Sequence, residues 1–255
     1  MTVQDIYNAI DAFAPFAAQE KWDNSGLLVG SPLCAADKVL VSLDISLAAV
    51  ERARELGCSV IVSHHPVIFS PLKSLPSESP VYEMCRHEMS AICCHTPLDI
   101  AKGGINDLLV GRLRGVLDFA EETEPLDAAG CGRIITFREH MRISDIAGAA
   151  KKALGCRCVR FSPDDGYPWI KRIGICSGSG ASMLEEIADR CDGLLTGDVK
   201  HDRWYKAQEL GLGLIDCGHY HTEIIAVDHV AEQLRKALPD AEVFVFVEGD
   251  PVEYV

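Results

Sequence analysis

The chain of 255 residues carries a formal net charge of −14, with 48% hydrophobic and 24% charged residues. That length and apolar content suit one large globular domain or two ordinary ones and exclude a disordered or fibrous chain. The acidic balance argues against a standing surface for nucleic acid or anionic membrane, although a bound dication would still admit an anionic small substrate.

Met1-Thr2-Val3-Gln4-Asp5 lacks the basic and apolar regions of a secretory signal, and no apolar run nears the roughly 18 residues needed to span a bilayer. A cytoplasmic location is expected. Thr2 caps a first helix in a capping-box variant with Asp5, and Ile6, Ile10 and Phe13 form its apolar face. Trp22 to Gly30 reads as a polar turn, Asp23-Asn24-Ser25-Gly26, entering a short strand. Lys38 to Asp44 is a strand, Ser46 caps a helix that stops at Gly57, and Cys58 to Ser63 is an apolar strand. Ser79-Pro80 opens a helix in the favoured cap-then-proline order. Ser90 to Cys94 is the next strand, and a helix follows from Ile105 to Gly115.

The acidic segment Glu121-Glu122-Thr123-Glu124-Pro125 is the expected boundary. It would separate a discontinuous lobe, 1–124 with 216–255, from a second lobe, 125–215. Beyond it, strands are expected at Arg133–Phe137, Arg157–Phe161, Arg172–Cys176, Leu194–Thr196, Leu214–Cys217 and Glu242–Val247. Helices are expected at Ser144–Leu154, Ser182–Cys191, Arg203–Leu210 and Thr222–Leu238. This interleaving indicates an α/β protein with mainly parallel pairing, whose ligands sit at strand C-terminal ends.

Eleven cysteines form no disulfide framework: the count is odd, there is no C-x-x-C, and most lie in apolar strands or helix faces. They read as small buried hydrophobes in a reducing cytosol, with zinc binding as the lesser alternative.

Three runs follow apolar strands and end on metal-ligand residues: Ser63-His64-His65-Pro66, His95-Thr96-Pro97-Leu98-Asp99 and His219-Tyr220-His221-Thr222-Glu223. They hold five of the nine histidines. Imidazole and carboxylate form the mixed donor set that zinc, iron, manganese or nickel accepts. His64 and His65 converge on one ion only if the chain turns there; otherwise they splay toward two ions. Pro97 argues for a turn rather than a regular helix between His95 and Asp99. His219 and Glu223 suit one face of a helix start with Thr222 as a cap. His221 is a second layer of support, a substrate contact or a solvent-facing residue. Thr196-Gly197-Asp198-Val199-Lys200-His201-Asp202 is a polar turn chemically suited to a site. Ser177-Gly178-Ser179-Gly180 is a packing turn before it is an anion cradle. His87, His140 and His229 read as ordinary surface or core residues. No Gly-x-Ser-x-Gly elbow or cysteine nucleophile signature is present, so metal-activated water is the natural nucleophile.

Trp22-Asp23-Asn24-Ser25-Gly26-Leu27, Ser63-His64-His65-Pro66-Val67-Ile68-Phe69, His95-Thr96-Pro97-Leu98-Asp99, Thr196-Gly197-Asp198 and Gly218-His219-Tyr220-His221-Thr222-Glu223, in that order, resemble the NIF-three-like family. Its members are often labelled type 2 GTP cyclohydrolase I homologues, and the resemblance spans essentially the whole chain in the family's short form. It implies two similar α/β lobes with a dinuclear metal site in the cleft between them, and a toroidal homohexamer. Carried over, the ligands are His64, His65, Asp99, His219 and Glu223, holding two divalent ions (Zn, Fe, Mn or Ni), with His95 in or beside the coordination sphere. The segment around His201 departs from the commoner family form. The implied activity is hydrolysis of a nucleotide or related heterocycle, with His95 or His221 moving protons. A non-catalytic metal-binding or metal-delivery protein, or a regulatory interaction protein, is the alternative. No stable nucleic-acid or membrane partner is expected.

Overall fold

The computed structural model describes residues 1–166, 169–253 and 255. They form two compact units: unit 1 comprises Met1–Gly104 and Ala226–Pro251, and unit 2 comprises Ile105–Ile225 and Val252–Val255. The boundary expected at 124/125 lies inside unit 2. There the helix after Gly104 contributes Leu109 and Leu113 to the same core as the strands beyond the acidic segment, so it cannot belong elsewhere.

Unit 1 opens with α1 (Val3–Phe13) and runs through β1 (Gly26–Val29), β2 (Lys38–Ser42), α2 (Leu47–Leu56), β3 (Val60–Ser63), α3 (Pro80–Arg86), β4 (Ser90–Cys93) and α4 (Thr96–Ile100). Unit 2 contains α5 (Ile105–Arg114), β5 (Glu124–Pro125), β6 (Arg133–Met141), α6 (Ile143–Leu154), β7 (Arg160–Phe161), β8 (Ile170–Ile175), α7 (Leu184–Ile187), β9 (Gly193–Thr196), α8 (His201–Glu209), β10 (Gly213–Asp216) and α9 (His219–Glu223). The chain then returns to unit 1 through α10 (Ile225–Ala237) and β11 (Glu242–Val245).

The expected helix ends are built as their residues dictate. Thr2 donates from both its backbone N–H and its hydroxyl to Asp5. The Ser46 hydroxyl accepts from Ala49 N–H, and Gly57 closes α2 in the left-handed conformation that glycine adopts without penalty. The helix expected over Ser182–Cys191 is shorter, a 3₁₀ turn over Gly180–Met183 followed by α7.

The five-stranded sheet of unit 1 has the order β1-β4-β3-β2-β11. Its pairs are parallel except β1 with β4. Leu40, Ile61 and Ala91 pack with Val50 and Ala53 of α2 and Val81 and Met84 of α3. The alternate residues Val39, Val60, Val62 and Ile92 are fully buried as well. A sheet covered on both faces accounts for the unbroken apolar runs.

Unit 2 departs from mainly parallel pairing. Its six strands run β5-β6-β8-β9-β10-β7, with β8-β9-β10 parallel and the outer pairs antiparallel. Successive residues of one strand face opposite layers. Ile135, Leu195 and Ile215 join the core with α5 and α6, whereas Ile134, Leu194 and Leu214 join the core with α7 and α8. All eleven cysteines are free thiols, seven of them buried. No helix among the described residues is long and apolar enough to cross a membrane.

Candidate metal centre

In unit 1 the three histidines leave the C-terminal ends of neighbouring parallel strands. Ser63 of β3 pairs with Cys93 of β4, so His64 and His65 emerge beside His95. The chain turns after Ser63, whose hydroxyl donates to the His65 carbonyl. That turn brings the His64 and His65 rings to 5.0 Å from each other. His95 completes the group, with ring centroids 5.2 Å from His64 and 5.8 Å from His65. One ligand nitrogen from each of the three lies within 4.8 Å of the others.

Each ring is held by its Nδ1. His64 Nδ1 is 3.0 Å from the Cys94 carbonyl oxygen, His65 Nδ1 is 2.8 Å from Asp44 Oδ1, and His95 Nδ1 is 2.7 Å from Asp23 Oδ1. A carbonyl only accepts, so His64 carries its proton on Nδ1 and, when neutral, has its lone pair on Nε2. Metal-ligating histidines commonly have such oxygen partners on the distal nitrogen, which fix tautomer and orientation.

Asp23 is the most heavily bonded of these partners. Its side chain is fully enclosed and accepts from His95, the Ser25 and Thr96 hydroxyls, and backbone N–H groups of Asn24 and Thr96. Burial alone would raise its carboxyl. The hydrogen bonds from His95, Thr96 and Ser25 outweigh that and hold it well below the usual carboxylate range.

Asp99 is also buried, with Oδ1 3.8 Å from His64 Nε2. The turn expected between His95 and Asp99 is a helical one, α4, with His95 as its N-cap. Pro97 sits at its second position, where the missing N–H would have no partner within the helix, so proline is compatible there.

Unit 2 repeats the device on parallel strands β9 and β10. His219 follows β10, and its Nδ1 is 2.8 Å from Oδ2 of Asp198, which follows β9. Asp44 and His65 stand in the same relation after parallel β2 and β3. His219 Nε2 lies 2.8 Å from Glu223 Oε2, one helical turn on in α9. Gly218, not Thr222, caps that helix. The Thr222 hydroxyl instead donates to the His219 carbonyl and accepts from Gly178 N–H. His221 is buried beside Tyr220, which removes the solvent-facing alternative.

The glycines here answer to space. A Cβ on Gly197 would lie 2.7 Å from the Gly218 carbonyl carbon and the His219 nitrogen. On Gly178 it would lie 2.1 Å from Glu223 Oε1, and that residue has φ +59°. The Ser177-Gly178-Ser179-Gly180 segment is a packing turn, because Asn106, Thr222 and Thr196 side chains take the N–H groups of Ser177, Gly178 and Gly180. His201 opens α8 and packs edge-on against Tyr205.

Sequence reasoning gave no role to Asp23, Asp44 or Asp198 individually. The available signal was position: Asp44 and Asp198 each stand just past a strand end, and Asp23 sits in the polar turn before β1.

The model of the Duf34/NIF3 (NGG1p interacting factor 3) family matches residues 1–251. A Clostridium perfringens (strain 13 / Type A) protein named GTP cyclohydrolase 1 type 2 homolog is 30% identical over 263 residues, covering 100% of each chain. The Saccharomyces cerevisiae protein NGG1-interacting factor 3 is 31% identical over 231 residues, covering 81% of this chain and 80% of the yeast protein. Among solved structures, Staphylococcus aureus protein SA1388 superposes with a TM-score of 0.85 at 25% identity, covering 100% of this chain and 99% of that one.

Proposed function

The chain belongs to the Duf34/NIF3 family, and on that premise we propose that it is a divalent-metal-dependent hydrolase acting on a nucleotide or related heterocycle. The proposed ligands of its two ions are His64, His65, Asp99, His219 and Glu223. One observation carries the reading: His64 and His65, each anchored through Nδ1 to an oxygen, bring ligand nitrogens within 4.8 Å of each other, and His95, anchored to Asp23 in the same way, stands beside them. This donor set fits a divalent ion, and its lack of thiolate suits zinc, iron, manganese or nickel alike.

Bound ions would supply Lewis acidity, bringing the pKa of water toward about 7. The chain's own contribution is proton handling. His95 takes a proton at Nε2 while Nδ1 stays bonded to Asp23, and the ionised Asp23 stabilises the imidazolium so formed. His221 is the second proposed proton carrier. A homohexamer in the cytoplasm completes the proposal, supported by the family resemblance.

The relatives' cyclohydrolase name makes GTP the first substrate to test. Arg203 is already tied to Asp202 and Glu185, and Lys206 to Glu209. These pairings favour a substrate that needs no basic clamp from that segment. The yeast relative's name supports a second reading, a regulatory interaction protein, beside metal delivery.

Elemental analysis of the purified protein, followed by screening the loaded protein against nucleotides with formate release from GTP as one readout, tests the proposal. Asp99→Ala should abolish turnover. Undiminished turnover in a His64→Ala, Asp99→Ala double variant overturns it.

A further inference from the structure

Two large aromatic side chains stand exposed beside His95. Trp22 is 59% and Phe69 53% accessible, whereas aromatic side chains of this size are usually well buried. Their ring centroids lie 6.2 Å apart at a tilt of 43°, so they do not stack on each other and each keeps ring surface open. Both meet the His95 imidazole edge to face, Trp22 at 5.9 Å and Phe69 at 6.4 Å.

The backbone beneath them is pinned. Asp23, next to Trp22, is enclosed by the hydrogen bonds described above. The Asn24 side-chain amide donates to the Ile68 carbonyl at 2.6 Å, joining the turn that carries Trp22 to the loop that carries Phe69. Val67 and Ile68 pack against the core of unit 1. Rigid support with open ring faces is the arrangement that binds a flat ring at low ordering cost.

We propose that Trp22 and Phe69 form the ring-recognition subsite of unit 1, taking a planar nitrogen heterocycle by stacking and edge contact and presenting it to His95. This deepens the proposed hydrolase reading and rests on it. The recognised element is the base rather than a sugar or phosphate, because two π-faces offer dispersion and quadrupole contacts and no charge.

The test uses the full-length protein as purified, with guanosine, adenosine, uridine and neopterin as ring probes and ribose 5-phosphate as the ringless control. Affinities come from calorimetry and saturation-transfer NMR. Trp22→Ala and Phe69→Ala should each weaken the best ring probe by about tenfold, the range expected for losing one base–aromatic stack. Trp22→Phe should retain most of the affinity, and metal content should match wild type in all three. Ribose 5-phosphate should bind none of them measurably.

The proposal is overturned if no ring probe binds wild-type protein, or if both alanine variants bind the best probe unchanged. It is also overturned if Trp22→Ala changes the oligomeric mass while probe binding holds, because the rings would then cover a subunit contact. Ring binding without any turnover would count against the hydrolase reading while leaving this subsite standing. Undiminished turnover in a Trp22→Ala, Phe69→Ala double variant would do the reverse.

Discussion

Asp23 and His95, 72 positions apart in sequence, meet at 2.7 Å, and the carboxylate that grips the imidazole is closed off from solvent. The contact ties the turn before β1 to the end of β4. It also fixes which nitrogen of His95 faces outward.

Asp23→Asn should therefore lower activity or metal affinity by roughly 10–100-fold, the usual cost of losing a partner that orients a ligand or catalytic imidazole. Asp23→Ala should in addition reduce stability by about 1–3 kcal/mol, since His95, Ser25 and Thr96 all lose their shared acceptor. Turnover and urea unfolding of the two variants check this. Wild-type activity in Asp23→Asn would remove Asp23 from the site.

The depressed Asp23 carboxyl also gives stability a direction with pH. Between its folded pKa and the ordinary value near 3.9, the unfolded chain binds a proton that the folded chain refuses. The contribution is therefore fully present above about pH 4 and shrinks as acid is added through that window. In chelator-treated protein, the stability gap between wild type and Asp23→Asn should be widest at pH 7 and narrow below about pH 4. A gap that is flat with pH contradicts the assignment.

Gly178 and Gly148 make opposite predictions for the same change. Gly178→Ala drives a methyl group onto Glu223 Oε1 from a positive-φ backbone, so it should destabilise the protein by about 1–3 kcal/mol and weaken metal retention. Gly148 lies inside α6 with open space around a built Cβ, and Gly148→Ala should stabilise by about 0.5–1 kcal/mol. Thermal melts of both, with metal content of the first, decide the matter.

Chelation should lower the melting temperature of wild-type protein. A ligand at 100 times its Kd stabilises the folded state by about 2.7 kcal/mol through mass action. The His64→Ala, Asp99→Ala double variant should show a clearly smaller chelator-dependent shift than wild type. Equal sensitivity in both would place the ion elsewhere.

Much of this was legible because strand ends and helix caps are local chemistry. Ser46 and Gly57 bracket α2, Ser79-Pro80 opens α3, and the apolar runs into Ser63 and Cys93 locate the histidines. Convergence of His64 with His65 was not legible, because it depends on a hydroxyl-to-carbonyl bond two residues on. The partners Asp44 and Asp198 were hidden for a related reason: each belongs to the neighbouring strand, and pairing order is not written at either position. Pro97 misled because proline breaks helices in their interiors but not in the first turn. The unit boundary misled because an acidic segment marks exposure, while Leu109 and Leu113 reveal which core the preceding helix serves.

His64 and His95 are placed by a single alignment, Ser63 of β3 opposite Cys93 of β4. Side chains alternate along a strand, so a one-residue slip between those two strands would send each buried side chain into the layer on the other face and move His64 out of step with His95. A slip in this sheet and dispersal of the proposed site are thus one event, which a variant could undergo while keeping its secondary structure. The apolar residues Val60, Ile61, Val62 and Ile92 hold that alignment from a distance, which makes them guardians of a proposed site they never touch.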